Sequence, residues 1–136
     1  MFEHDYLVLS DGGALGNGSP NKGYGSYHLA THDGRKQTVR LDLGTATNNE
    51  AEYRTLIAAL KDLTGRIQKA FHSPATYSPL VYTDSQLMVG QITQGWQVKA
   101  ANLRPLIDVA GALLKAFGKA DLVKVPRDEI VRVLGH

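Results

Sequence analysis

Three acids stand where one structural pattern of this sequence gives way to another. Asp11 closes the apolar run Tyr6-Leu7-Val8-Leu9 and is followed by Gly12-Gly13. Asp84 closes the run Leu80-Val81-Tyr82 and is followed by Ser85-Gln86. Glu52 falls in the first turn of a helical pattern, in one row with Leu56, Leu60 and Leu63, and so points toward the fold rather than to water. An inward carboxylate costs free energy unless donors or cations meet it. Open α/β sheets gather their sites at the C-terminal ends of strands, where Asp11 and Asp84 are expected. Three converging carboxylates repel one another, and a divalent ion relieves the repulsion. Oxygen donors alone suit the hard ions magnesium and manganese.

The elements that must position these acids are readable in part. Thr47 followed by Glu50 is a capping box, and Ala51, Leu56, Ile57, Leu60, Leu63 and Ile67 continue it as a helix to about Lys69. Tyr6 to Ser10 reads as a central strand. Gly12 to Gly25 is rich in Gly, Asn, Ser and Pro and predicts a long turn; its small residues would let a nucleic-acid backbone approach closely. Tyr24 to Thr31 is a second strand, His32-Asp33-Gly34 a hairpin turn, and Arg35 to Leu43 a third strand with clear alternation. Phe71 to Pro79 is a loop, Leu80 to Thr83 a strand, and Ser85 to about Thr93 a short helix with Asp84 at or beside its N-cap. Gln94 to Ala101 is polar and carries Trp96, either a buried anchor or, as the family resemblance given below implies, a contact to a DNA strand. Asn102 opens a helix with Pro105 in its first turn and a core stripe of Leu103, Leu106, Ile107, Ala110, Leu113, Leu114 and Phe117, stopped by Gly118. Asp121 to Val125 is a last strand, and the final ten residues have no decisive pattern. The order βββ-α-β-α-α-β predicts an α/β fold: a five-stranded mixed sheet, three antiparallel strands then two parallel ones, flanked by helices.

Three stretches together resemble type 1 ribonuclease H: Asp11-Gly12-Gly13-Ala14-Leu15-Gly16-Asn17, Thr47-Asn48-Asn49-Glu50-Ala51-Glu52-Tyr53 and Thr83-Asp84-Ser85-Gln86-Leu87. The resemblance runs from about Tyr6 to Arg127 and implies a single ribonuclease H-like domain over residues 1–136. It implies endonucleolytic hydrolysis of the RNA strand of RNA–DNA hybrids, leaving a 5′-phosphate and a 3′-hydroxyl. Catalysis would use two magnesium or manganese ions about 3.5–4 Å apart, with Asp11 bridging both and Glu52 and Asp84 holding the ion at the leaving oxygen. Gly12, Gly13, Ala14, Gly16, Asn17, Thr47, Asn48, Asn49, Ser85 and Gln86 fall at positions expected to touch the nucleic acid. Amides both donate and accept, which suits a 2′-hydroxyl in the shallow minor groove. Thr47 and Asn17 also match a pocket for a DNA phosphate. The basic, tryptophan-bearing protrusion of some members is missing, since Gly95 to Asn102 carries only Lys99; weaker, more salt-sensitive binding is expected.

The pattern breaks near the C-terminus. Members of the family place a fourth carboxylate on a last helix, after Pro-Arg-Glu and an Asn. Here Pro126-Arg127-Asp128 matches the start, but Ile130 stands where the Asn belongs and Leu134 where the Asp belongs. Asp128 and Glu129 are the nearest acids, and His136 is a candidate replacement ligand that favours manganese over magnesium. The alternative function is a catalytically weak or inactive hybrid-binding module.

Bulk composition agrees with one globular domain: 136 residues, 43% hydrophobic and 21% charged. There is no run of about 18 apolar residues to span a membrane and no basic-apolar leader at Met1-Phe2-Glu3-His4-Asp5. Cysteine is absent, which excludes disulfides and thiolate zinc sites. A cytoplasmic monomer with no protein partner is the expectation. Net charge is +2, but Lys/Arg number five against seven acids in residues 1–60 and ten against six in residues 61–136. The second half is therefore the candidate source of phosphate contacts. His4, His28, His32, His72 and His136 form no pair at metal-ligand spacing.

Overall fold

The computed structural model describes residues 4–15, 21–31 and 33–135. Strands β1 (Tyr6–Leu15), β2 (Lys22–Thr31), β3 (Lys36–Thr45), β4 (Pro79–Thr83) and β5 (Asp121–Lys124) form one sheet in the order β3-β2-β1-β4-β5. The pairings β1–β2 and β2–β3 are antiparallel, and β1–β4 and β4–β5 are parallel. Helices α1 (Asn48–Lys69), α2 (Gln86–Thr93), α3 (Arg104–Lys115) and α4 (Arg127–Leu134) flank it. This is the mixed sheet expected from the order of elements. Among the described residues no helix is long and apolar enough to cross a membrane.

The period-two alternation of β1 divides the core between the two faces of the sheet. Val8 packs with Tyr27, Leu29, Leu56, Leu60 and Val81 on the face that α1 and α3 cover. Leu7 and Leu9 belong to a second cluster with Ile130, Leu134, Tyr82 and Val125. The last ten residues, unassigned from sequence, thus supply a helix for the second cluster. Ile130 and Leu134 are one turn apart and both are buried, while Gly135 closes α4 in the left-handed conformation at φ 81°.

The long turn expected from Gly12 to Gly25 does not start at Gly12 or last to Gly25. β1 continues through Leu15 and β2 begins at Lys22, with Gly12 opposite Gly25 and Gly13 opposite Tyr24. These glycines serve close approach rather than turning. A Cβ on Gly12 would lie 2.6 Å from the Ala51 carbonyl carbon and 2.8 Å from the Glu52 nitrogen. A Cβ on Gly25 would lie 3.0 Å from Thr55 Cβ and closer still to its hydroxyl. The first turns of α1 rest directly on the backbone of β1 and β2. Gly118 works the same way. α3 ends before it, its N–H donates to the Tyr77 carbonyl at 2.9 Å, and a Cβ there would stand 2.6 Å from the Ala75 carbonyl oxygen. α3 itself starts at Arg104, after a 3-10 turn at Ala101–Leu103, and the expected loop before β4 holds a second one at Pro74–Thr76.

Candidate active site

Asp11 sits inside β1 rather than at its end, as the apolar run alone suggested. What ends beside it is the parallel pairing: β1 and β4 run in register from Tyr6 with Pro79 to Leu9 with Tyr82. Beyond that β1 stays paired to β2, while β4 stops at Thr83 and the chain turns away into α2. Asp11 and Asp84 each lie two residues past the last pair, at the mouth of the split. Asp11 is buried and Asp84 half-buried.

Glu52 reaches them from α1. The capping box is present: Thr47 Oγ1 accepts from the Glu50 N–H at 3.1 Å, and the Thr47 N–H donates to Glu50 Oε1 at 2.9 Å. It fixes where α1 begins, and the missing side chain at Gly12 lets that first turn settle onto β1. Burial pushes the Glu52 carboxyl up to about 7, with Asp84 and Asp11 adding to the rise and a hydrogen bond from Ser85 and the charge of Arg127 opposing it. Ser85 is therefore shared. Its hydroxyl serves Glu52 and also accepts the Met88 N–H at 3.2 Å as the N-cap of α2.

Arg127 joins the three acids, a contact that the sequence motifs did not single out. It is the first residue of α4, and one nitrogen, Nη1, donates to Asp11 Oδ1 at 2.9 Å and to Asp84 Oδ2 at 2.9 Å. The two carboxylates raise its already high affinity for its proton. The motif Pro126-Arg127 carries the signal, but a cation among ligand carboxylates has no pattern of its own in the sequence. With Asp11 and Asp84 drawn to Arg127 and Glu52 to Ser85, no group of three His, Cys, Asp or Glu among the described residues is gathered ready to hold a metal ion. The donor set nevertheless fits a hard divalent ion: three carboxylates in mutual electrostatic contact, one buried and one strained toward its neutral form.

Among the described residues, no substitute for a fourth carboxylate enters the site. Leu134 is 2% exposed, in the apolar cluster with Leu9 and Ile130. Its carbonyl is held by Arg40 Nη2 at 3.1 Å. Asp128 is exposed, and Glu129 is engaged by Arg132 one turn along a regular helix. His136, Gly16 and Asn17 lie outside the described residues.

The remaining candidate substrate contacts surround the split. Thr47, Asn48, Asn49 and Gln86 are exposed, Ala14 is half-buried, and Gly12, Gly13 and Ser85 are buried. Asn48 has an internal duty as well: its Oδ1 accepts the Ala14 N–H at 2.6 Å and ties the start of α1 to the end of β1. Trp96 is in part the buried anchor expected. Its indole lies against Gly90, where a Cβ would come within 2.5 Å of ring atom Cε2, yet the side chain is 40% exposed.

Comparison with known proteins identifies the fold and the family. The RNase H family profile matches residues 3–124. The bifunctional protein Rv2228c of Mycobacterium tuberculosis is 38% identical over 122 residues, which is 89% of this chain but only 31% of that protein. The solved N-terminal RNase H domain of Rv2228c, a fusion with maltose binding protein, superposes with a TM-score of 0.76 at 31% identity, over 93% of this chain and 90% of that one. LC11-RNase H1, solved in complex with RNA/DNA hybrid, gives a TM-score of 0.79 at 26% identity, covering 93% of this chain and 89% of its own. The profile match, the sheet order and the two solved relatives agree that this chain belongs to the RNase H family.

Proposed function

We propose that this domain is a ribonuclease H that hydrolyses the RNA strand of RNA–DNA hybrids with divalent metal, acting as a cytoplasmic monomer without a protein partner. The observation that carries the reading is the seating of α1 on Gly12, which brings Glu52 into the field of Asp11 and Asp84. The hybrid held by LC11-RNase H1 supports the substrate class. Asp11, Glu52 and Asp84 would hold the metal, magnesium or manganese, which supplies activation of water and stabilisation of the leaving oxygen. Water adds to phosphorus, the bond to the 3′ oxygen breaks, and a water proton ends on that oxygen.

The chain's own groups do the positioning. Asp11 is fixed by the β1–β2 ladder, Asp84 by the end of β4, and Glu52 by the capped start of α1. Ser85 holds the Glu52 carboxylate in place. The exposed amides of Asn48, Asn49 and Gln86, with the backbone of Gly12, Gly13 and Ala14, would read the minor groove and its 2′-hydroxyls, a role that the exposure of the amides supports. Thr47 supports the DNA-phosphate contact, and the same role proposed for Asn17, with Gly16 beside it, falls outside the described residues.

A second reading, a hybrid-binding module with little or no cleavage, is favoured by the burial of Leu134 where relatives carry a ligand. Cleavage of a labelled hybrid beside a duplex DNA of the same sequence separates them. Magnesium- or manganese-dependent cuts in the RNA strand alone support the nuclease; tight binding without cuts supports the module.

A further inference from the structure

We infer that Arg127 stands in for one of the two cations of a two-ion hydrolytic site, so that this domain loads a single divalent ion. The inference rests on the metal-dependent reading of the site. Its basis is the bridge made by Arg127, whose Nη1 is 2.9 Å from an oxygen of Asp11 and 2.9 Å from an oxygen of Asp84. These are the two carboxylates that face each other across the split between β1 and β4. A cation touching both does there what a bridging ion would do.

The charge count agrees. Asp11, Glu52 and Asp84 with one guanidinium leave a formal charge of minus two, which one divalent ion neutralises; a second ion would leave the cluster net positive. A fourth carboxylate would offset part of that excess, and the helix that lacks it is the helix that brings the arginine. α4 is not free to withdraw Arg127 easily. Ile130 and Leu134 are buried behind it, and Arg40 holds the Leu134 carbonyl at 3.1 Å. Position 134 thus acts as an apolar anchor that keeps Arg127 in the site. The arginine side chain is 50% exposed, so the guanidinium edge away from the carboxylates is open to a phosphate oxygen, a partner its planar donor set suits.

The test counts bound ions. Full-length protein is titrated with Mn2+, free ion is measured by electron paramagnetic resonance, and hybrid cleavage is followed on the same samples of wild type, Arg127→Gln and Arg127→Lys, each checked by thermal melting. Expected are one ion per wild-type chain, roughly tenfold tighter binding of that ion in Arg127→Gln because a competing cation is gone, and cleavage slowed about a hundredfold in the same variant. Arg127→Lys keeps a stoichiometry of one. If Arg127→Gln does not fold, the lysine variant and the wild-type count decide. Two ions per wild-type chain with brisk hybrid cleavage overturn the inference and leave the nuclease reading intact. One ion, bound more tightly in Arg127→Gln, with no hybrid cleavage by the wild type upholds the ion count and removes the nuclease reading. Unchanged ion affinity and unchanged cleavage in Arg127→Gln overturn the inference.

Discussion

Replacing Gly12 with alanine tests how the site is assembled. The added Cβ would lie 2.6 Å from the Ala51 carbonyl carbon and 2.8 Å from the Glu52 nitrogen, whereas carbon contacts settle at about 3.5–4.0 Å. Both neighbours are helix backbone, so no side chain can rotate away. The first turn of α1 must retreat by about 1 Å to restore ordinary contact. Overpacking of this kind costs about 1–3 kcal/mol, a fall in melting temperature of roughly 4–12 °C for a domain of this size. The retreat carries Glu52 away from Asp11 and Asp84, and a misplacement of about 1 Å costs on the order of a hundredfold in rate. Calorimetry and hybrid-cleavage kinetics on Gly12→Ala read the two effects. Gly65→Ala is the control: it lies within α1 with nothing within 4 Å of its added Cβ, so a gain of up to about 1 kcal/mol is expected. A Gly12→Ala protein with wild-type melting and a raised KM alone would show that Gly12 serves the approaching nucleic acid and not the seating of α1. Wild-type melting with wild-type kinetics would refute the packing argument altogether.

Other expectations follow from the same geometry. The Glu52 carboxyl is raised from 4.5 to about 7, so in metal-free protein its contribution to stability is full below about 4.5 and is lost as pH rises through about 7; melting profiles of Glu52→Gln should lack that slope. Because a ligand must be ionised, wild-type Mn2+ affinity should climb about tenfold from pH 6 to pH 8 and show no such climb in Glu52→Gln; a flat wild-type profile contradicts the assignment. Asn48→Ala removes the acceptor of the Ala14 N–H and should cost about 1 kcal/mol in urea unfolding, with a higher KM for hybrid. Leu134→Asp puts a charge among Leu9 and Ile130 and should lose about 3 kcal/mol or more; an unchanged unfolding midpoint would mean that position 134 faces the carboxylates.

What could be read from the residues was local or periodic. The Thr47/Glu50 box, the α1 stripe and the strand order needed only neighbours in sequence, and they hold in the structure. Gly12 and Gly25 are ambiguous in sequence because a glycine that makes a turn and a glycine that yields to a helix look alike in one dimension. The difference lies in Ala51 and Thr55, tens of residues away. α4 is hard to read from sequence because its two buried positions, Ile130 and Leu134, are flanked by the exposed apolar Val131 and Val133, which blur the period. Arg127 is not legible as a site residue because its partners, Asp11 and Asp84, are 116 and 43 residues away. On sequence alone Asp11 reads as one of three mutually repelling carboxylates. In the structure Arg127 holds it at 2.9 Å, and Asp11→Asn forfeits that pairing.

The most direct measurement is cleavage of an RNA–DNA hybrid labelled at the 5′ end of its RNA strand, with magnesium and with manganese, by wild type and Asp11→Asn, beside a DNA duplex of the same sequence. The expected result is metal-dependent cutting confined to the RNA strand, stronger with manganese, suppressed by 2′-deoxy substitution at the cut and absent in Asp11→Asn. Equal cutting of the DNA duplex, or undiminished cutting by folded Asp11→Asn, would contradict the assignment of Asp11, Glu52 and Asp84 as a hybrid-specific hydrolytic centre.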